Sequence, residues 1–315
     1  MGECEMRGGR MMFHGMIPVW KACGMTSHDV VFKLRKLLRM KKIGHTGTLD
    51  PQVDGVLVVC LGEATKLVEL LMDGDKLYRG EITLGIATET EDAHGAEIER
   101  QFVSAPLSNA QIDQVMAMFQ GELTQIPPYY SAVKVNGKRL YEYARQGLEV
   151  ERPIRQARID YFKRTSEPIY ENGIQRWSFE VQCGKGTYVR TLAVDLGAQL
   201  GYPSHMSQLT RYATGGFTKE QAFTLQQLAD LQAQGDIASA VYPIESALQD
   251  YPQHELSEQA FRQVVHNGQV VAQDYFGFAL TEPTALYYDG LIRAIYAPHP
   301  TKKDRIKPIR MFNRE

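Results

Sequence analysis

The sequence predicts a chain in which α-helices and β-strands are interspersed and a small β-rich module comes last. Three observations lead to this prediction. Apolar residues recur at helical spacing between Val30 and Leu38. Polar and apolar residues alternate from Tyr78 to Leu84, as they do in a strand with one buried face. Short alternating runs follow one another from about Ser246 onward.

The first elements are a strand, a helix, a loop and a second strand. Ile17–Trp20 has the pattern of a short strand. Thr26 and Asp29 have the form of a capping box, which marks the start of a helix. Gly44–Gly55 is rich in Gly, Pro and Asp, which indicates a loop. The nearly all-apolar run Val56–Leu61 then predicts a buried strand.

The later elements follow from the same signals. Ser108 or Asn109 caps a helix, and the alternating segment Phe179–Cys183 predicts a strand. A Gly-rich turn leads from that strand into a helix that Gly201 ends. The alternating runs of the last module are Val264–Val271, Phe276–Thr281 and Leu286–Tyr296.

Length and composition limit the possible function. The chain has 315 residues and a hydrophobic fraction of 43%, enough for one large domain with a sizeable core and a small second one. Its net charge of −2 argues against a general polyanion-binding protein, so a nucleic-acid role depends on where the basic residues lie. No apolar stretch approaches the roughly 20 residues that cross a bilayer. We therefore expect a cytoplasmic protein with no membrane contact.

The N-terminus, the cysteines and the histidines indicate which features we do not expect: a signal peptide, disulfide bonds and a metal site. Residues 1–15 are polar and Gly-rich and lack the apolar core of a signal peptide, so we expect a disordered extension there. The four cysteines form no CxxC pair, and the eight histidines contain no HExxH motif. A reducing compartment and the absence of a metal site are the expected consequences.

Three short segments could carry chemistry. The loop GHTGTLDP (44–51) presents Asp50 between a Gly-rich stretch and a proline, although Asp50 could equally cap a neighbouring amide. The turn KGTYVR (185–190) ends in Arg190, which could bind phosphate, pair with a buried carboxylate or simply be solvated. Tyr78 begins a strand, a position where an aromatic residue is more often part of the core than of a site. Taken singly, these signals decide little.

Taken together, the motifs resemble those of the bacterial tRNA pseudouridine-55 synthases, the TruB family. GHTGTLDP, DKLYRG and CGKGTYVRT occur here in that family's order and spacing. GMTSHDVV and IPPYYSAVKVNGKRLYEYARQG match it too, and the resemblance covers roughly Ile17 to Gly216. One difference is visible, because many members have a proline directly after the lysine that corresponds to Lys21, whereas this chain has Ala22.

The resemblance implies an α+β fold of the pseudouridine synthase type, with a central mixed, mainly antiparallel sheet and flanking helices. It places the catalytic domain at 16–245, with a thumb-like insertion at about 126–155. The β-rich segment 246–315 is similar in position to a small RNA-binding module of the PUA kind.

The resemblance also implies roles for individual residues. Asp50 falls on the catalytic aspartate, Tyr78 on the tyrosine that packs against the target base, and Arg190 on the arginine that pairs with the aspartate. His45 corresponds to the histidine that helps to hold the flipped-out nucleotide. Weaker candidates for substrate binding are Lys185, Tyr188 and Leu209.

Two basic segments are candidate RNA surfaces, because RNA stem-loops are bound through phosphates and splayed bases stack on aromatic rings. One is the basic face of the first helix, for which a merely solvated face is the alternative. The other is the segment Tyr129–Arg145, where the family has its thumb-like insertion. The candidate residues are Lys21, Lys33, Arg35, Lys36, Lys134, Lys138, Arg139, Tyr141 and Arg145.

The implied activity is isomerisation of uridine to pseudouridine at position 55 in the T loop of tRNA. The reaction needs no redox change and no external group, so no cofactor is expected. The resemblance leaves open whether Asp50 attacks C1′ or the base. We expect a monomer that acts without a guide RNA. The alternatives are a tRNA-folding chaperone, a guide-directed relative and a base-excising glycosylase.

Overall fold

A computed structural model describes residues 3–7 and 10–314, and the side chains from residue 11 onward. Contacts divide the chain into two units. The terminal unit comprises Met1–Pro51, Leu57–Met72 and Gly215–Glu315, and the central unit comprises Gln52–Val56 and Asp73–Thr214. Among the described residues, no helix is long and apolar enough to cross a membrane.

The strands are, in chain order, β1 (Glu3–Arg7), β2 (Arg10–Lys21), β3 (Ile43–His45), β4 (Asp54–Leu61), β5 (Lys76–Leu84), β6 (Ile86–Thr88), β7 (Glu97–Arg100), β8 (Gly121–Gln125), β9 (Lys134–Val135), β10 (Lys138–Arg139), β11 (Arg155–Arg164), β12 (Ile169–Glu171), β13 (Ile174–Cys183), β14 (Ser204–Thr214), β15 (Phe217–Thr218), β16 (Gln253–Glu255), β17 (Val271–Ala272), β18 (Thr284–Tyr288), β19 (Leu291–Pro298) and β20 (Arg305–Met311).

The α-helices are α1 (Ser27–Leu38), α2 (Val68–Asp73), α3 (Asn109–Ala117), α4 (Leu140–Arg145), α5 (Val189–Leu200), α6 (Leu225–Gln234) and α7 (Glu258–Ala260). Short 3₁₀ turns lie at Gly62–Leu67, Lys219–Gln221, Ile237–Ala240 and Ile244–Leu248, and a π-helical turn lies at Phe261–Val265.

The central unit contains the mixed sheet that the resemblance implied. Its strands lie in the order β14–β5–β13–β11–β8 and pair antiparallel, whereas Asp54 and Gly55 at the start of β4 pair in parallel with β14. A Cβ at Gly55 would lie 2.3 Å from the backbone oxygen of Arg211, so only glycine allows this approach. Trp177, Phe162 and Phe179 on the strands and aliphatic residues of α3 and α5 form the core on this sheet. The α+β fold class is confirmed.

The terminal unit begins with β1 and β2, which pair antiparallel, and β3 pairs with β4. Thr26 and Asp29 form the capping box of α1, as the sequence predicted. The apolar face of α1 is buried against residues of β2 and β4, so amphipathic spacing decides which side of the helix faces the core.

The last part of the terminal unit is a β-sheet in the order β16–β18–β19–β20–β17. The predicted run Leu286–Tyr296 is a hairpin of β18 and β19. The run Val264–Val271, which counted toward the β-rich module, is not one strand, because Ser257 caps a helical turn that extends to Val265 and only Val271 lies in a strand, β17. Val264 and Val265 are both buried, and consecutive apolar residues suit a helical turn against a core as well as a strand. Phe276–Thr281 forms no strand either.

The N-terminal segment differs from expectation where the structure describes it. Strand β2 begins at Arg10, and Phe13 is buried in the core of the terminal unit, so disorder does not extend to residues 11–15. Residues 1, 2, 8 and 9 of the expected extension lie outside the described residues. The catalytic-domain, thumb and PUA-like boundaries at 16–245, 126–155 and 246–315 stay predictions.

Candidate functional site

The loop that carries Asp50 is fixed on both sides of that residue. Before it, the Leu49 N–H donates to the Ser27 hydroxyl at 3.0 Å, and Ser27 is the first residue of α1. After it, the carbonyl of Pro51 accepts from the Gly24 N–H at 2.9 Å. Leu49 is buried and Asp50 is half-buried. The fold therefore holds a partly accessible carboxylate on a loop whose backbone is anchored to the start of a helix.

Lys21 gives the same loop a third anchor. Its ammonium group donates to the carbonyls of Ala22, Met25 and Pro51 at 3.1, 2.8 and 3.2 Å. The side chain is 0% exposed, so its ammonium group faces these carbonyls and not solvent, and the contact of Lys21 with RNA stays a prediction. A buried ammonium is tolerated only where acceptors replace its water, and these carbonyls do so. Lys21 acts as a positioning residue for the Asp50 loop.

His45 lies at the end of β3, opposite Val59. Its ring meets the ring of His28 edge to face, with the centroids 5.5 Å apart. The next residue, Thr46, is buried, and its N–H donates to the carbonyl of Val58 at 3.0 Å. His45 is thus placed at the start of the Asp50 loop by sheet pairing and by a ring on α1.

Tyr78 and Leu209 lie on neighbouring strands of the central unit. Tyr78 on β5 is opposite Arg211 of β14, and Leu209 is opposite Gly80. Both side chains are partly buried and pack on the central core. A Cβ at Gly80 would lie 2.3 Å from the carbonyl oxygen of Gln208, so these strands approach too closely for any side chain there. One aromatic and one aliphatic side chain thus lie on the same core, each with part of its surface uncovered.

Arg190 is the second residue of α5 and is only 6% exposed. Its guanidinium group donates to the carbonyls of Thr90 and Tyr130 at 3.1 and 3.0 Å. Beside it, Thr191 donates to Glu91 at 3.1 Å. Burial raises the pKa of Glu91, against the opposing effects of the Arg190 cation and the Thr191 hydrogen bond. The N-terminal end of α5 therefore takes part in a buried polar network and is not a solvated turn.

The turn before α5 places Tyr188 and Lys185 differently. The backbone N–H and carbonyl of Tyr188 both bond the side chain of Gln125, which is buried. Lys185 is exposed and pairs with Asp73 at 2.7 Å. Sequence reasoning missed Gln125 and Glu91, since no local pattern marks a glutamine whose partner is 63 residues away.

The segment expected to contact RNA contains a hairpin of β9 and β10 followed by α4. The turn uses Asn136 and Gly137, with φ angles of 50° and 83°, which are the left-handed values of a tight hairpin turn. Lys134, Lys138, Arg139 and Arg145 are exposed. The guanidinium groups of Arg139 and Arg145 lie over the ring of Tyr141, at 5.8 and 5.2 Å. The predicted cations of this segment are thus accessible and associated with an aromatic ring.

The predicted basic face of α1 is also accessible. Lys33, Arg35 and Lys36 are exposed, and Lys36 lies 4.4 Å from the ring centroid of Phe32. Arg35 also donates to the carbonyl of Ile43 at 3.0 Å. Within the described part of the chain, no group of three or more His, Cys, Asp or Glu residues could hold a metal ion.

Family comparisons agree with the motifs. A family model described as "TruB family pseudouridylate synthase (N terminal domain)" matches residues 35–189. A second, "tRNA pseudouridylate synthase B C-terminal domain", matches residues 190–249. The chain is 48% identical over 306 residues to tRNA pseudouridine synthase B of Staphylococcus haemolyticus, covering 96% of this chain and 100% of that protein. The protein of the same name from Bacillus pumilus is 46% identical over 307 residues, covering 96% and 99%.

Solved structures give the same fold. The chain matches the "Structure of H/ACA RNP bound to a substrate RNA containing 2'-deoxyuridine" with a TM-score of 0.69 at 25% identity, covering 96% of this chain and 86% of that chain. It matches the "Crystal Structure of a Cbf5-Nop10-Gar1 Complex" with a TM-score of 0.67 at 27% identity, covering 96% and 84%.

Proposed function

The chain belongs to the TruB family of pseudouridylate synthases, and from this premise we propose that it converts uridine 55 in the T loop of tRNA to pseudouridine. The observation that carries the proposal is the alignment of 96% of the chain with relatives named tRNA pseudouridine synthase B. The expected partner is the T stem-loop of an unmodified tRNA.

The chemistry is an isomerisation in which atoms balance within the nucleotide. The C1′–N1 bond breaks, the uracil turns, and a C1′–C5 bond forms while the C5 proton is lost and N1 gains one. Neither an oxidant nor an external group enters, so we propose that no cofactor takes part. The target base must leave its stack, which costs a few kcal/mol that contacts in the protein offset.

We propose Asp50 as the catalytic residue, by attack on C1′ or on the base. Its anchored loop supports this role, because a reacting carboxylate is effective only when its position is fixed before substrate binds. Following the resemblance, Tyr78 provides an aromatic face for the base and Arg190 provides the cation that stabilises the carboxylate. His45 holds the flipped nucleotide, and Lys185, Tyr188 and Leu209 are weaker candidates for substrate binding.

The first experiment incubates the purified chain with an unmodified tRNA transcript and maps pseudouridine by position. Pseudouridine at the T-loop uridine alone is the expected result. It would also establish that no guide RNA and no added cofactor are needed. Bound tRNA without any pseudouridine would overturn the proposed activity, and release of free uracil would indicate a glycosylase instead.

The second experiment tests Asp50 itself. We expect Asp50→Asn to abolish pseudouridine formation while tRNA binding, measured by fluorescence anisotropy, stays close to wild type. Asp230→Asn on the exposed side of α6 is the matched control, with the same change of charge and shape. Turnover of Asp50→Asn at the wild-type rate would exclude Asp50 as the reacting group.

Two alternatives are tested alongside the proposed activity, and one of them has an observation behind it. The structural matches come from assemblies titled as H/ACA RNP and Cbf5 complexes, which favours testing for guide dependence. Modification of naked tRNA excludes it. A tRNA-folding chaperone activity could coexist with catalysis, and an Asp50→Asn protein that does not change the rate of tRNA folding would exclude it.

We further propose that the protein acts in the cytoplasm as a monomer. This follows from the family resemblance and from the activity on tRNA. Analytical ultracentrifugation at micromolar concentration tests the oligomeric state, and a mass near twice 35.6 kDa would refute the monomer.

A further inference from the structure

The terminal unit contains a positively charged cleft that borders the first residue of the Asp50 loop, Gly44. Its volume is about 590 Å³. The charged side chains that line it are Arg35, Lys41, Lys42, Lys66, Arg310 and the carboxylate Glu69. Arg35 comes from α1 and Arg310 from β20, so segments far apart in sequence converge on one surface. Of these residues, only Arg35 belongs to the basic surfaces that the sequence suggested.

The cleft keeps an excess of positive charge after its internal ion pairs are counted. Glu63 lies next to the cleft and pairs with both Lys42 and Lys66, at 2.5 and 2.6 Å. Glu69 pairs with Arg310. Two carboxylates thus face five cations, and Arg35 and Lys41 are exposed. A surface with this balance attracts anions.

The walls of the cleft are held in place by bonds other than these pairs. Arg310 donates from Nε to the carbonyl of Lys66 at 2.8 Å, and Lys66 donates to the carbonyl of Met311 at 2.6 Å. Arg35 donates to the carbonyl of Ile43 at 3.0 Å. Main-chain acceptors therefore orient the cations toward the cleft before any ligand arrives, which lowers the entropy that binding must offset.

The composition of the lining selects the ligand class. The lining contains no aromatic ring among the described residues, so bases have nothing on which to stack. Guanidinium and ammonium groups in an open cleft suit phosphate oxygens. Gly44 also lines the cleft, and His45 and the rest of the Asp50 loop follow it directly in the chain. An RNA backbone in the cleft would thus lie next to the loop on which the candidate catalytic residue is placed.

We propose that this cleft binds backbone phosphates of the same tRNA whose uridine reaches Asp50. The inference rests on the proposed function for its substrate. In the bound state a phosphate replaces Glu69 as the partner of Arg310, since Glu69 is 79% exposed and leaves the pair at little cost. Glu69 then acts against binding, while Lys41 and Arg310 favour it.

The opposite signs of these effects make the test sharp. Binding of an unmodified tRNA transcript to the full-length protein is measured by fluorescence anisotropy over a range of salt concentrations. Lys41→Gln and Arg310→Gln should each weaken binding about three- to tenfold and reduce the salt slope by about 0.7–0.9. Glu69→Gln should strengthen binding about two- to fivefold.

A second ion pair provides matched controls. Arg176 pairs with Glu171 on the β12–β13 hairpin, and both side chains are exposed to a similar degree. Arg176→Gln and Glu171→Gln repeat the charge changes of Arg310→Gln and Glu69→Gln away from the cleft. Both should leave tRNA affinity and salt slope unchanged. An equal effect of Arg176→Gln would mean that overall charge, not the cleft, is responsible, and would overturn the proposal.

Further outcomes separate the cleft from a structural joint and from the proposed activity. If the cleft only ties β20 to the rest of the unit, Glu69→Gln and Arg310→Gln should both lower the melting temperature and leave the salt slope at the wild-type value, which overturns the proposal. Lys41→Gln guards against misfolding of Arg310→Gln, because Lys41 lies on an exposed turn. The binding assay needs no catalysis, so tRNA that binds with the predicted slopes but is never modified refutes the activity alone.

Discussion

Replacing Lys21 by methionine tests whether a buried ammonium group, rather than the sequence around Asp50, fixes the candidate catalytic loop. Methionine is close to lysine in length but has no donor. The carbonyls of Ala22, Met25 and Pro51 would lose their bonds to Nζ. The Pro51 carbonyl keeps the Gly24 N–H as a donor at 2.9 Å. The main loss therefore falls on the Ala22 and Met25 carbonyls.

The magnitude follows from those two acceptors. Both bonds are partly buried and Ala22 itself is exposed, so water can replace part of the lost donor. Each lost hydrogen bond from the ammonium group then costs about 1–2 kcal/mol, and methionine recovers part of this because no charge has to be buried. We expect the free energy of unfolding to fall by about 1–3 kcal/mol. The turnover number should fall as well, since the backbone next to Asp50 loses an anchor. Affinity for tRNA and its salt slope should not change, because Lys21 does not reach solvent.

Urea denaturation followed by circular dichroism gives the change in stability, and single-turnover pseudouridine formation gives the rate. Lys33→Met on the exposed face of α1 is the control and should change stability by less than about 0.5 kcal/mol. Equal stability of the two variants would refute the stabilising role of the hydrogen bonds that the Lys21 ammonium group donates. A lower salt slope in Lys21→Met would instead show that the ammonium group contacts RNA.

Two further predictions concern acid and the hairpin turn. Burial alone would raise the pKa of Glu63, but hydrogen bonds from Lys42, Lys66 and the backbone N–H of Asn313 outweigh it and lower the pKa to about 2. Glu63 therefore stabilises the fold above about pH 4.5, and this contribution, up to about 3 kcal/mol, is lost as pH falls toward 2. Glu63→Gln should flatten this part of the curve of unfolding free energy against pH. An unchanged curve would contradict the assignment. Gly137→Ala should destabilise the hairpin turn by about 1 kcal/mol, because φ is 83°; the cost stays this small because no atom within 4 Å opposes a Cβ. In steady-state kinetics the variant should raise KM for tRNA by a larger factor than it lowers kcat. A rise in KM no larger than the fall in kcat would argue against a role of the hairpin in binding.

Predictions from the sequence were correct where the structure depends on interactions between residues close together in the chain. The capping box of α1 needs only Thr26 and Asp29, three residues apart, and it forms as predicted. The end of α5 at Gly201 depends on one residue that accepts a left-handed backbone, with φ at 82°. The motif order that indicated the family is likewise a property of the chain alone.

Predictions were incomplete where the outcome depends on residues far apart in the chain. Lys21 looks like a surface cation, and only the folded chain shows carbonyls surrounding it. Two consecutive buried valines, Val264 and Val265, are compatible with a strand or with a helical turn. They form a helical turn, in which both side chains pack into the core of the last module. The polar network around Arg190 joins residues that lie 60 and 100 positions away.

The sequence by itself determined the family, the α+β class and the candidate site residues, because motifs, helix caps and hydrophobic periodicity depend on residues that are close together in the chain. Only the tertiary structure decided which cations are buried and which are accessible, and that Arg310 near the end of the chain joins Arg35 and Lys41 in one cleft. Burial and charge density depend on which segments come together in space. No pattern within a single segment carries that information.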